Sequence, residues 1–275
     1  MNFYLESINN NLDISSLECD IIIDRSNFTI EYYSNMNNLY KESCDVSTDD
    51  WFMEAGNKIG EAIQNAIDAV IKFINECVDK IKEMITNHRI RALAKKYEAS
   101  AKKDPNLKNK KIQYTDYMEI AEKEIRSAKT IKELKGTLDT VTDDIEKARK
   151  KIKAIKPVVK VISCSAVISL LGTISAKIYK NSNDKKNDLL VLRQNLRTAD
   201  NLSKKMKNKV TENTSAQNEA NEIYKQISMY VTTAYKSSSI HEVKSIKSII
   251  KSLMYELDYI ANNNTPHSTS HIDNL

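Results

Sequence analysis

From Trp51 to Met84 apolar residues recur every three or four positions. With Ile59 set at zero and about 100° of rotation per residue, Ile63, Ala66, Val70, Phe73, Ile74, Cys77, Ile81 and Met84 fall within about 60° of it. Trp51 and Phe52 begin this stretch, and Glu61, Asp68, Lys72, Glu76 and Asp79 fall on the opposite side. The pattern predicts a long amphipathic helix whose broad apolar face is an association face. Other helices, a partner or a lipid surface must cover it. Thr48, Asp49 and Asp50 supply a cap and first-turn acids. The helix is expected to run over 48–103 and to stop at Pro105.

The same period continues downstream. A helix is expected from Thr115-Asp116 to about Ala128, and Thr130-Ile-Lys-Glu133 is a capping box opening another. Leu138, Val141, Ile145, Ala148, Ile152 and Ile155 alternate in steps of three and four, which is a short heptad seam. Asn181-Ser-Asn-Asp184 reads as a turn, and residues 184–261 as a long helical hairpin. Its seams are Leu192, Leu196, Ala199, Leu202, Met206, Val210 and then Ala216, Ala220, Ile223, Ile227, Val231, Ala234. A second capping box, Ser239-Ile-His-Glu242, is expected to open the last helix. The two boxes share a six-residue pattern, which fits reuse of a capping device better than a duplicated hairpin. Residues 262–275 read as a polar, disordered tail.

Two stretches differ. Residues 1–47 show β-prone fragments, Asp20–Asp24 and Phe28–Tyr33, among Asn-rich intervals. They are expected to form an irregular arm. Residues 161–176 carry no charge, within an expected apolar helix at 158–180 of a segment spanning 112–180. A spanning helix needs about 20 strongly apolar residues. This stretch is shorter and diluted by Ser, Thr and Gly, so a core helix is favoured over a membrane-inserting one.

Four glycines and three prolines in 275 residues leave little material for tight turns. The fold class expected is therefore all-α: an elongated multi-helix bundle with coiled-coil-like helices and an irregular N-terminal segment.

Charge sharpens the division. Residues 1–50 hold ten acids against two bases; the remainder holds 40 bases against 27 acids. The acidic segment reads as a solvated arm or a removable propeptide. Lys outnumbers Arg 35 to 7, which disfavours base-specific readout by Arg forks. Arg89, Arg91, Lys95, Lys96, Lys102 and Lys103 gather near one helix end. They are candidate nonspecific DNA contacts, although helix-end charge preference alone accounts for them.

Catalytic signatures are missing. There is no glycine-rich phosphate loop, no H-E-x-x-H and no G-x-S-x-G. Cys19, Cys44, Cys77 and Cys164 lack metal or redox spacing and suit a reducing compartment. His267 and His271 lie in the tail. No enzyme, metal or cofactor is expected, and the opening MNFYLESINNN does not read as a secretory signal.

Asp50-Trp-Phe52, Ala69-Val-Ile-Lys-Phe-Ile74 and Lys80-Ile-Lys-Glu-Met-Ile85, behind an acidic leader, resemble internal or structural virion proteins of bacteriophages with AT-rich genomes. The likeness covers about residues 1–130 and is compositional. It implies a protein packaged in the head beside DNA, made in the host cytoplasm, with other virion proteins or copies of itself as partners. The alternative is a helical membrane-active protein, a pore former or ejected channel component, inserting 161–176.

Overall fold

The computed structural model describes residues 2–43, 49–116, 158–207 and 214–261, with Lys147 and Lys150. These are 90% helical, so the all-α class holds. The helices whose bounds are described are α1 (Asn2–Ser43), α2 (Asp49–Met84), α3 (Asn87–Lys103), α4 (Cys164–Lys207) and α5 (Thr214–Ala261). A 3-10 turn, Pro105–Asn109, follows α3. Strands β1 (Lys111–Asp116) and β2 (Val158–Ser163) pair antiparallel.

The N-terminal segment is helical, not irregular. No glycine or proline interrupts residues 2–43, so nothing breaks the helix. The β-prone reading arose because α1 is apolar on two sides. Cys19, Ile23 and Ile30 are buried with Ser26, while Ile14, Leu17, Ile21, Phe28 and Tyr32 are exposed about half a turn away. Two opposed stripes cancel in any single-face pattern. Ser26 and Thr29 donate their hydroxyls to the carbonyls of Ile22 and Arg25 at 2.8 and 2.9 Å, so both stay inside the helix without an unmet donor.

The chain divides into two compact units, and the division falls within α2, α4 and α5. In the first, polar contacts join four helices in a closed series. Lys72 of α2 lies 3.8 Å from Glu18 of α1. Arg193 and Lys186 of α4 reach Asp68 and Asn75 of α2 at 2.6 and 3.1 Å. Tyr235 and Ser239 of α5 meet Asp188 and Lys185 of α4 at 3.3 Å each. Lys225 and Lys236 of α5 meet Glu31 and Asp20 of α1 at 3.3 and 2.5 Å. Where two contacts join a helix pair, they run in opposite chain directions, so these neighbours are antiparallel. Inside lie Ile59, Ile63, Ala66, Ile67, Val70, Phe73 and Ile74 of α2, with Leu189, Leu192 and Tyr230.

The second unit holds the end of α2, then α3, the ribbon, the start of α4 and the end of α5. The single helix expected over 48–103 is two. Thr86 breaks it by capping α3, its hydroxyl accepting the Arg89 N–H at 3.3 Å. Asp104 and Pro105 stop α3, as expected, and Asp104 Oδ1 accepts the Asn106 N–H at 3.0 Å.

Two further expectations fail here. Thr115 and Asp116 end β1 instead of opening a helix, and 158–163 is strand, not the first turns of an apolar helix. β-Branched Val158, Val159, Val161 and Ile162 favour the extended form. Its pairing with β1 then fixes it, Tyr114 facing Lys160 and Ile112 facing Ile162. The ribbon is tied at Thr115, whose N–H donates to Ser248 Oγ of α5 at 3.0 Å. Lys160 lies 2.7 Å from the buried Asp116. From Cys164 the chain is helical with one buried row, Cys164, Val167, Leu171, Ile174 and Ile178. From Cys164 onward the uncharged stretch packs through this one row, while Ser165, Ala166, Ser169, Gly172 and Thr173 are exposed.

α4 runs through Asn181–Asp184 without the expected turn, and α5 runs through Ser239–Glu242 without a new start. Ser239 is no cap: its hydroxyl donates to the Tyr235 carbonyl at 3.1 Å inside the helix. The expected helix over 117–128, the Thr130 box, the 138–155 seam and the 262–275 tail lie outside the described residues.

Candidate association surface

The apolar face of α2 was the leading sequence candidate for association. Ile59, Ile63, Ala66, Val70, Phe73, Ile74, Cys77, Ile81 and Met84 are all buried. The chain's own helices cover them, which is the first of the three covers that the sequence left open. The side chains of Trp51 and Phe52 lie outside the described set.

The uncovered apolar surface is on α1. Ile14, Leu17, Ile21, Phe28 and Tyr32 are exposed, Phe28 by 69%. Their spacing of three, four, seven and four is a heptad seam with one polar gap at Asp24. Phe28 and Tyr32 stack at 6.4 Å and Tyr32 meets Tyr33 edge-on at 5.3 Å, which forms a small aromatic cluster. Glu18 and Arg25 line one flank, and Asp13, Asp24 and Glu31 the other, all exposed. The signal was present in the sequence as a second heptad row, and the inward row Cys19, Ile23, Ile30 obscured it.

The basic candidates divide. Lys96 pairs with Asp258, Lys103 donates to the Ala261 carbonyl at 3.3 Å, and Arg89 donates to the Glu83 carbonyl. These three brace the second unit. Arg91, Lys95 and Lys102 are exposed and fall within about 40° of one another on α3. Exposed Glu98 lies among them and weakens the patch.

Two polar arrangements invite a chemical reading. Lys185 Nζ lies 3.3 Å from Ser239 Oγ, the pair type of a Ser–Lys nucleophile. Both are buried and the serine proton is committed to a backbone carbonyl, so the contact satisfies polar groups in a core. A cavity of about 230 Å³ lies between α1 and α5, lined by Asp20, Asp24, Asn27, Thr233 and Lys236. It has room for a few waters, which would meet the buried Asn27 Oδ1, an atom with no protein partner.

Cys19, Cys77 and Cys164 are buried thiols, none of them in a disulfide. Burial pushes Cys19 and Cys164 up to about 11, against the opposing pull of Lys236 and Lys110 respectively. Such thiols behave as small hydrophobes. Cys44, His267 and His271 lie outside the described residues. Among the described residues no cluster of His, Cys, Asp and Glu is arranged to hold a metal, and no helix is long and apolar enough to cross a membrane.

No protein-family model, curated protein or solved structure matches this chain.

Proposed function

We propose that the protein is a non-enzymatic structural component that acts by helix–helix association, with the interior of a bacteriophage head as its setting. The observation that carries the association is the outward heptad row of α1. A helix already packed through Cys19, Ile23 and Ile30 has no internal use for five more large apolar side chains, and such rows mark contact surfaces. The setting comes from the likeness of residues 1–130 to virion proteins. Arg91, Lys95 and Lys102 supply the nonspecific phosphate contacts that packaged DNA would require. Mass spectrometry of purified, protease-treated particles tests the setting. The protein should be present at structural rather than trace copy number, and its absence from particles rejects the virion reading.

A second reading, membrane contact, is favoured by the ribbon. Val159 is 62% exposed and Val158 and Val161 are exposed beside it, with exposed Lys111 adjacent. Flotation with anionic vesicles, weakened by Val159→Asp, would support it.

A further inference from the structure

We infer that the outward face of α1 is the contact between two copies of this chain, packed antiparallel about a two-fold axis at the level of residues 22–23. The inference rests on the reading of α1 as an association surface and names the occupant.

The first argument is the symmetry of the row itself. In an antiparallel pair related by a two-fold axis, residues whose numbers sum to a constant face each other. Ile14 and Tyr32 sum to 46, Leu17 and Phe28 to 45, so each end of the row meets the other end of its copy. Ile21, near the middle, meets the neighbourhood of its own copy. The spacing therefore lets the row pack on its own reverse.

The second argument is charge. Flanks of like name face each other across an antiparallel pair. Glu18 and Arg25 lie on the same flank, about one heptad apart. Reversal about the same centre brings each Glu18 to the Arg25 of the second copy, giving two equivalent ion pairs. A parallel pair would instead put Glu18 beside Asp13 of the second copy, like charge against like. Among the described residues Glu18 would give up a 3.8 Å contact to Lys72, in which both side chains are exposed. On the opposite flank Asp20 is held by Lys236 at 2.5 Å, which removes most of its repulsion. Asp13 and Glu31 of that flank sum to 44 and so meet across the pair, with Glu31 held by Lys225 at 3.3 Å. Exposed Asp24, in the gap of the row, lies near its own copy, so this flank opposes the pairing that Glu18 and Arg25 favour.

The third is size. Five such side chains on each of two copies amount to on the order of 1,000 Å² buried, the lower end of a specific interface. A weak, reversible dimer is expected, with a dissociation constant of about 1–100 μM.

Sedimentation equilibrium of the full chain tests this. The expected result is a monomer–dimer equilibrium, weakened at least about tenfold by Phe28→Asp with unchanged melting, since Phe28 is exposed. Glu18→Arg and Arg25→Glu should each weaken the dimer, and the double exchange should restore it. With Cys44→Ser, Ile21→Cys should form an interchain disulfide and Ile14→Cys should not, because its two copies lie about 25 Å apart. A monomer at all concentrations overturns the inference. Slow labelling of Phe28→Cys in that monomer would assign the face to this chain's own residues, and fast labelling to a different partner. An unrescued double exchange or an Ile14→Cys disulfide also overturns it. Particle incorporation is independent of these outcomes, so a failed dimer leaves the virion reading to its own test.

Discussion

Lys236 Nζ lies 2.5 Å from Asp20 Oδ1 and 2.9 Å from the Ser16 carbonyl oxygen, 5.6 Å above the Phe73 ring. One ammonium therefore joins α5 to α1 and α2. Its side chain is 9% exposed, while that of Asp20 is 54% exposed. The cation end of the pair is buried and the acid end is wet. Desolvation of the ammonium is offset by a charge-assisted hydrogen bond, a carbonyl and an aromatic face.

The first prediction follows from that asymmetry. Asp20→Asn removes the counter-charge and leaves an ammonium in the core, which should cost about 2–3 kcal/mol. Lys236→Met removes the charge but keeps the stem over Phe73, and should cost less than about 1.5 kcal/mol. Urea unfolding measures both. If Lys236→Met proves the costlier, the pair is a net stabiliser and the desolvation argument fails.

The second concerns α2. Val70 is fully buried, so Val70→Asp places an unpaired charge in the core and should cost several kcal/mol or abolish folding. Asp68, two residues earlier and on the opposite side of α2, is exposed and paired with Arg193 at 2.6 Å. Asp68→Ala should cost no more than about 1 kcal/mol. Similar melting temperatures for the two variants would mean that the face of α2 is not the core.

The α2 face was legible because its apolar residues form one row and its charges another. α1 was not, because Ile21 and Ile23 point to opposite sides and each hides the other's period. The ribbon was not legible for a different reason. β1 and β2 are separated by residues 117–157, and a strand without its partner in view looks like a short apolar run. Thr86 was overlooked because a cap inside a continuing apolar pattern carries little local contrast. The basic residues were found by composition. Composition does not distinguish Lys96, bound to Asp258, from Lys95, which faces solvent.

The third prediction tests that division of the bases. Any DNA binding should be independent of base sequence and should fall steeply between low and physiological salt. Replacing Arg91, Lys95 and Lys102 by Ala should reduce the slope of log K against log salt by about 2–3. Replacing Lys96 and Lys103 should instead loosen the second unit, with the slope nearly unchanged. Fluorescence anisotropy with two unrelated duplexes reads both. Sequence preference, or binding that survives high salt, would contradict this assignment.

The last prediction concerns Cys164, at the start of α4, where the uncharged stretch becomes helix. Its thiol is fully buried, and its backbone N–H donates to the Lys110 carbonyl at 2.9 Å, which ties the ribbon to the helix. Burial raises the thiol from 9.0 to about 11, with Glu256 adding to the rise and Lys110 opposing it. The thiolate is the reactive form, so near neutral pH the folded protein presents almost none. In a variant retaining Cys164 alone, a maleimide should react only as fast as the second unit opens, and denaturant should accelerate it strongly. The sign of the pH effect follows from the raised value. The folded state holds its proton more tightly than the unfolded one, so this contribution to stability is complete below pH 9 and is lost between about pH 9 and 11. Cys164→Ala should flatten the fall in stability across that window while creating little cavity. Anionic vesicles should leave the labelling rate unchanged if α4 stays packed through Val167, Leu171 and Ile174. Vesicles that alone change that rate, at constant pH and without denaturant, would show that this helix leaves its core for lipid, and the membrane reading would then displace the structural one.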